Sequence, residues 1–324
     1  MRGTGRRIAA VLLACAALAA CAVKGGAGGG QPRALFTPLQ QLSGARLSVQ
    51  AAGAFGAQAV PGRQAAGYLA FLSPSVAAAR NHVLYVADAG HRQIFRYDPA
   101  QMTMARFAEY PAGGIAGMAV APDMSLYIAD PAAQQVLQFS WDGRLMRSFG
   151  HDNAIARPVA VLLDDASGRV FVADSLYNHV VVFNSLGRAL GTLKSLEAHG
   201  IESMARGPDG LYLVDRSNRQ VVVMGMDGSD RYTIGKGTLK DPQAIAVDRY
   251  NRVFVSDLFD NTIKVYEGGQ LAATFGGSGA TPAAFNRITY LSLEQNTLYV
   301  ADSLNARIQS FHLAPPREKN RAPE

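Results

Sequence analysis

The carboxylates best placed for acid–base chemistry in this 324-residue chain are six aspartates, each at the end of a short apolar segment. They recur at spacings of 41 to 45 residues, beginning with LYVAD. The six are Asp88, Asp130, Asp174, Asp215, Asp257 and Asp302. One active site does not need the same residue six times at a fixed spacing. We therefore interpret them as structural residues whose carboxylates accept backbone N–H groups and hold tight turns.

Residues that break this repetition are better candidates for a site. The segment IESMARG carries Glu202 and Arg206 where equivalent segments such as GMAV are apolar. Two interpretations stay open for them, an ion pair beside water or contacts to a ligand. Six further candidates are Arg157, Asp241, Gln243, Arg287, His91 and Arg92. Arginine binds carboxylate or phosphate through two hydrogen bonds, so an anionic ligand is one interpretation, and solvated turns with surface ion pairs are the other.

Histidines raise the question of zinc, which needs several converging ligands. His91, His151, His179 and His199 are predicted to lie on one face but come from three different repeats, and the segments predicted to start the innermost strands contain no histidine. We expect surface histidines and no cofactor. Nothing in the pattern supports the divalent metal that a zinc-dependent activity would require.

The candidate residues are predicted to lie on short strands and in the turns between them. One repeat reads QAIAV (243–247), RVFVSD (252–257), TIKVYE (262–267) and QLAATFG (270–276), with glycine-containing turns between some of them. Four strands in each period of about 40–45 residues are typical of propeller blades. The sequence predicts an all-β, six-bladed β-propeller of four-stranded antiparallel blades.

Ring closure follows from the last repeat, which has three strands and then a proline-rich charged tail. A strand from the N-terminus must supply the fourth, because an open sheet edge invites pairing with other chains. QAAGAFG (50–56) matches QLAATFG, so we predict that residues 45–55 complete the last blade. The propeller is then residues 45–313, and residues 314–324 form a disordered tail.

Residues 1–20 are predicted to be a lipoprotein signal peptide. They combine three arginines with a 13-residue apolar run that is too short for a membrane span. LAAC (18–21) resembles the lipobox of bacterial lipoproteins, which implies a lipidated Cys21 followed by a flexible glycine-rich linker over residues 21–44. The alternative is a plain secretory signal with an accidental cysteine. Without residues 1–20 the formal net charge falls from +6 to +3, which argues against a nucleic-acid partner.

The turns after the aspartates carry a family resemblance. NRQV (218–221), DNTI (260–263), NARI (305–308) and YNHV (177–180) resemble the NHL repeat over about residues 45–313, although PAAQQV after Asp130 departs from it. GPDGLYLVD (207–215) is similar to streptogramin lyases and gluconolactonase-like propellers, but a hairpin turn before a strand needs the same residues. Peptidylglycine α-amidating lyase domains share the propeller and place histidines near the strand starts, where this chain has none.

These resemblances imply a monomeric, non-enzymatic binding module in a bacterial cell envelope, held on a membrane by lipid on Cys21. The expected partner is an envelope protein, a peptide or an anionic polymer. Ala22 is not the aspartate that retains lipoproteins at an inner membrane, so the outer membrane is favoured. The alternative function is a metal-dependent lyase or lactonase with its site in the propeller channel.

Overall fold

A computed structural model describes residues 35–47, 67–111, 113–150 and 154–316. Within these ranges the chain forms 26 β-strands and a single turn of 3-10 helix at Ser303–Asn305. None of the described residues forms a helix with the length and apolar character needed to cross a membrane.

The strands are short and follow one another with tight turns. In chain order they are β1 Phe36–Leu42, β2 Gly44–Leu47, β3 Tyr68–Ala70, β4 Pro74–Arg80, β5 Val83–Asp88, β6 Gln93–Asp98, β7 Thr103–Glu109, β8 Gly117–Val120, β9 Leu126–Asp130, β10 Gln135–Phe139, β11 Leu145–Phe149, β12 Pro158–Asp164, β13 Arg169–Asp174, β14 His179–Phe183, β15 Ala189–Leu193, β16 Ile201–Gly207, β17 Gly210–Asp215, β18 Gln220–Met224, β19 Asp230–Ile234, β20 Pro242–Val247, β21 Val253–Asp257, β22 Thr262–Glu267, β23 Gln270–Gly276, β24 Ile288–Glu294, β25 Thr297–Asp302 and β26 Arg307–Leu313.

Six sheets stand in a ring, as predicted. Blades 1 to 5 begin with β4, β8, β12, β16 and β20 and continue outward through the next three strands. Blade 6 has the order β24-β25-β26-β1. The first strand of each blade contacts the first strands of both neighbouring blades, so these six inner strands surround a central channel. The predicted six-bladed β-propeller of four-stranded antiparallel blades is confirmed.

The hydrophobic core lies between the blades rather than at the centre of the ring. Six clusters of buried apolar side chains fill the six interfaces between neighbouring blades. Because both faces of a blade pack on a neighbour, its second strand is buried at nearly every position, as in β17. This explains why LYVAD and its equivalents lack the alternation of apolar and polar residues that one-sided sheets show.

Ring closure uses an N-terminal strand, as predicted, but an earlier one. β1 pairs antiparallel with β26, from Phe36 opposite Leu313 to Leu42 opposite Ile308. The prediction that residues 45–55 complete blade 6 was therefore wrong, and the propeller begins before residue 45. Residues 48–55 lie outside the described ranges, as do the leader and Cys21. Much of the tail predicted for residues 314–324, from 317 onward, lies outside them too.

Residues 44–47 instead extend blade 1. β2 pairs in parallel with β7 and antiparallel with β3, which gives the first sheet six strands. Gly44, the first residue of β2, allows the chain to pack this closely on β3. Its φ is +150°, and a Cβ there would lie 2.1 Å from the Leu69 carbonyl oxygen. The N-terminal segment thus completes blade 6 and then covers the outer edge of blade 1.

Candidate functional site on the aspartate face

The six repeat aspartates lie on one face of the ring, and all are buried. The Asp174 carboxylate accepts four backbone N–H groups. These belong to Ala156, Arg157, Leu176 and Tyr177. The first two lie where the chain enters the inner strand of the blade, and the others lie in the loop after the aspartate. We call the surface formed by these six loops and strand entries the aspartate face.

Two of these carboxylates have lowered pKa values. Burial alone would raise the pKa of Asp174, but the four backbone donors outweigh it and lower the pKa below its ordinary value of 3.8. Burial opposes ionisation at Asp257 as well, and the Lys264 ammonium with two backbone N–H groups again lowers the pKa. Both groups are held as carboxylates by their structural contacts.

Asp130, in the repeat that departs from the pattern, has fewer partners. Its carboxylate accepts the Ala133 N–H at 3.1 Å, and the Gln135 amide lies at 3.5 Å. No bond from the strand entry of blade 2 reaches it among the described residues. The loop after Asp130 is therefore joined to its blade less strongly than the loop after Asp174.

The fourth residue after each aspartate has a left-handed backbone with φ between 51° and 55°. These six residues are Arg92, Gln134, Asn178, Arg219, Asn261 and Ala306. This conformation is uncommon for residues other than glycine and asparagine, so the repeat imposes it on whatever residue is present. Arg92 is thus an exposed turn residue, and its position is set by the fold.

The residue that enters each inner strand is fixed by a repeated backbone bond. In five blades its carbonyl oxygen accepts the N–H of the residue after the aspartate. The six entry positions are Ser73, Gly114, Arg157, Gly200, Asp241 and Arg287. Arg157 and Arg287 occupy this position in blades 3 and 6, which are opposite each other in a six-membered ring. Both side chains are exposed, and neither guanidinium donates to another described residue.

Two residues further on, the inner strands bulge toward the channel. Five blades show a break in register with the second strand at this point. The ring formed by this position, which we call the bulge ring, consists of Ser75, Ala116, Val159, Glu202, Gln243 and Thr289. All six are half-buried, and five of them lie between two buried neighbours, as expected for side chains at the wall of the channel. Blades 4, 5, 6 and 1 contribute polar members, whereas blades 2 and 3 contribute apolar ones.

Hydrogen bonds join the polar members in pairs. The Gln243 amide donates to one oxygen of Glu202 at 2.8 Å, and the Thr289 hydroxyl donates to the Ser75 carbonyl oxygen at 2.9 Å. Deeper in the channel, the Tyr290 hydroxyl of blade 6 reaches the Met118 carbonyl oxygen of blade 2 at 3.3 Å. The second Glu202 oxygen accepts no hydrogen bond from a described residue. The Glu202 carboxylate therefore has capacity for a further partner at the channel mouth.

Glu202 and Arg206 are separated by the structure. They lie near opposite ends of β16, so Arg206 is on the other face, where it forms an ion pair with Asp164 of blade 3. The interpretation of Glu202 and Arg206 as an ion pair with each other is therefore wrong. Arg206 contributes nothing to the aspartate face.

Asp241 is paired across the boundary between blades 4 and 5. Arg216 donates to both of its oxygens, at 2.7 and 3.2 Å. Hydrogen bonding to Asp241 raises the pKa of Arg216, and the nearby Glu202 charge adds a smaller effect. Arg216 is thus occupied by carboxylates of the protein itself, in contrast to Arg157 and Arg287.

The histidines do not converge. His91 bonds to the Ala70 carbonyl oxygen at 2.8 Å, and His199 lies 3.0 Å from the Glu197 carbonyl oxygen. Burial lowers the pKa of His179, while His151 lies outside the described ranges. Across the described part of the chain, no three His, Cys, Asp or Glu side chains come together to hold a metal. The described residues therefore offer no donor set that fits a divalent ion.

The sequence alone left Ser75 and Thr289 unnoticed, although they share a ring with Glu202 and Gln243. The signal was present, since the six members of the bulge ring lie 13 to 15 residues before the aspartates of their blades. Differences in hairpin length move this count by up to two residues, and a shift of one residue changes which side a strand residue faces. Only pairing with the second strand aligns the six positions.

Comparisons with known proteins support the fold. No protein-family model matches the chain, and no curated protein matches it in sequence. A streptogramin B lyase structure superposes with a TM-score of 0.57 at 12% identity, over 75% of this chain and 94% of its own. Virginiamycin B lyase from Staphylococcus aureus gives 0.58 at 11% identity, over 86% of this chain and all of its own. At these identities the likeness shows a shared six-bladed β-propeller.

Proposed function

We propose that this protein is a lipid-anchored binding module of a bacterial cell envelope whose aspartate face captures an acidic protein or peptide. The proposal includes an NHL-type repeat, a lipobox ending at Cys21 and an outer-membrane location, with the propeller as a monomer. Its main support is the pair of exposed arginines, Arg157 and Arg287, on opposite sides of the channel mouth. Arginine at this position is not required by the repeat, because the other four blades use serine, glycine or aspartate there.

An arginine that is not committed to the protein's own carboxylates is available to bind a carboxylate through two parallel hydrogen bonds. Two such groups on opposite blades favour a ligand with acidic groups at separate points over a single small anion. A peptide or protein segment has that geometry.

Exposed apolar side chains support a polypeptide partner. Leu72, Leu176, Phe259 and Leu304 lie in loops of the aspartate face, and each is more than half exposed. Ser175 and Ser303, which precede two of them, donate backbone N–H groups to the carbonyl oxygens of Arg157 and Arg287. Each arginine therefore has an exposed leucine in the loop bonded to it. Apolar groups beside arginine are typical of protein interfaces.

Replacing both arginines with glutamate will greatly weaken this binding. We expect the R157E/R287E protein to bind a peptide of alternating glutamate and leucine at least about 100-fold more weakly, because each charged hydrogen-bonding pair contributes about 1.5–3 kcal/mol. Isothermal titration calorimetry at constant ionic strength measures the change. The backbone contacts of both positions remain available to glutamate, so folding will be preserved.

The matched control reverses two exposed arginines on hairpins of the other face. An R188E/R231E protein undergoes the same change in net charge and should bind the peptide as the unchanged protein does. Equal weakening in both variants would show that only net charge matters, and the aspartate face would lose its role.

The anchor is tested separately. Changing Cys21 to Ser removes the thiol that lipid would modify, so the protein will move from the membrane pellet to the soluble fraction. Immunoblots of fractionated cells measure this, with a Cys15→Ser protein as the control because Cys15 lies in the discarded leader. A Cys21→Ser protein that stays with the membrane contradicts the anchor.

A lyase is the second candidate. Two structures of similar fold are named lyases, and Glu202 holds a carboxylate oxygen at the channel mouth that no described residue occupies. A carboxylate there is placed to remove a proton from a ligand in the channel. Turnover of a bound ligand, detected by mass spectrometry and abolished by Glu202→Gln with binding retained, would favour this candidate over the binding module.

A further inference from the structure

A cavity lies at the seam where the ring closes, toward the face opposite the aspartates. Its volume is about 350 Å³. It is bounded by the closing strand, by blade 6 and by blade 1, and its lining residues include Leu39, Leu42, Leu84, Tyr97, Tyr299 and Ile308. Ligand sites of small molecules begin at about 300 Å³, so the cavity is large enough for one.

The walls are apolar in part and polar in part, and the polar lining residues are Gln40, His82, Thr297 and Ser310 together with two phenols, Tyr97 and Tyr299. Leu42, Leu84 and Ile308 are buried, and Leu39 lies at the rim with 56% of its surface exposed. The Tyr97 hydroxyl accepts a hydrogen bond from the Gln40 amide at 3.0 Å, which leaves its own proton available to donate. Burial and the Glu294 charge raise the pKa of Tyr299 to about 12, so this phenol also remains a donor.

The lining contains no arginine, lysine, aspartate or glutamate. His82 is the one basic side chain among the described lining residues. Its backbone N–H donates to the Glu294 carboxylate at 3.0 Å, so an anionic ligand would meet that negative charge as well, and a cationic ligand would find no carboxylate in the lining. Burial of a charged ligand there is therefore costly. A neutral molecule with an apolar body and one hydrogen-bond acceptor satisfies both the walls and the phenols.

We propose that this seam cavity binds a small, neutral amphiphile whose carbonyl or ether oxygen accepts a hydrogen bond from Tyr97 or Tyr299. The site is separate from the aspartate face and does not depend on the function proposed there. Because the cavity exists only when the closing strand, blade 6 and blade 1 are assembled, an occupant stabilises the closed ring through linkage.

The experiment titrates the purified protein with Prodan, a neutral naphthyl ketone whose emission moves to the blue in apolar sites. We expect saturable binding of one molecule per chain and a rise of several degrees in Tm at saturation. Leu39→Asp will weaken binding at least tenfold, because it places a charge at the rim. Leu145→Asp is the matched control, since this leucine is 54% exposed on the outer strand of blade 2, away from the seam.

A second variant probes the hydrogen bond. Tyr299→Phe keeps the wall and removes the donor, so the emission of bound Prodan should change while the Tm of the free protein is kept. Absence of saturable binding overturns the proposal. Equal binding by the Leu39→Asp and Leu145→Asp proteins would also overturn it, because the probe would then occupy another surface.

Discussion

Removal of residues 1–43 will leave a chain that no longer unfolds in a single cooperative transition. The deletion takes away β1, the fourth strand of blade 6, and exposes the edge of β26 along its whole length. It also removes Phe36, which stacks on Phe275 with ring centroids 4.0 Å apart and meets Phe254 and Phe311 edge-on. We expect Tm to fall by more than about 10 °C, measured by calorimetry.

A milder variant and a control make this result specific. Phe36→Ala keeps the strand but removes a buried ring, and we expect a loss of about 3–5 kcal/mol in the free energy of unfolding. Deletion of residues 1–33 removes no described strand and should leave Tm unchanged. If the chain without residues 1–43 melts cooperatively at the original temperature, then β1 does not hold the ring together.

Asp174→Ala will destabilise the protein far more than Asp130→Ala, although the two residues occupy equivalent positions. Asp174 accepts four backbone N–H groups, whereas Asp130 accepts one, with a second donor at 3.5 Å. Losing the first carboxylate should cost about 4 kcal/mol and losing the second about 1 kcal/mol. Urea unfolding monitored by circular dichroism measures both. Equal costs would contradict the structural role assigned to the repeat aspartates.

The contacts of the Asp174 carboxylate also make the free energy of unfolding depend on pH. Because the pKa of Asp174 is lower in the folded protein than its ordinary value of 3.8, its contribution is complete above about pH 5. That contribution is lost as the pH falls through the folded pKa, since protonation then removes the acceptor. Unfolding free energies between pH 6 and pH 2 should therefore fall less steeply for Asp174→Ala than for the unchanged protein.

The six blades could be predicted from the sequence because the same tight turn recurs in each of them. A tight turn between a buried strand and the next one needs an acceptor for several N–H groups, and aspartate supplies it at intervals of 41 to 45 residues. The closing strand, β1, has no aspartate at its end. FTPLQQL lies at a sheet edge with only Phe36 and Leu42 buried, so its apolar signal is weak. QAAGAFG resembled an outer strand more closely and misled the prediction.

The site was predictable only in part, for a related reason. Glu202 stood out because a charged side chain replaces an apolar residue on an inner strand, and Gln243 was one of the further candidates. The partners could not be deduced, because they come from neighbouring blades more than 20 residues away, as with Arg216 for Asp241 and Asp164 for Arg206. Which residues meet across a boundary between blades depends on packing that the repeat pattern does not encode.

Hydrogen–deuterium exchange with and without the acidic glutamate–leucine peptide tests whether the aspartate face is the binding surface. We expect slower exchange in the loops after Asp174, Asp257 and Asp302 when the peptide is bound, with unchanged exchange in the hairpins of the other face, such as residues 184–188. Protection confined to those hairpins, with the aspartate loops unaffected, would contradict this expectation.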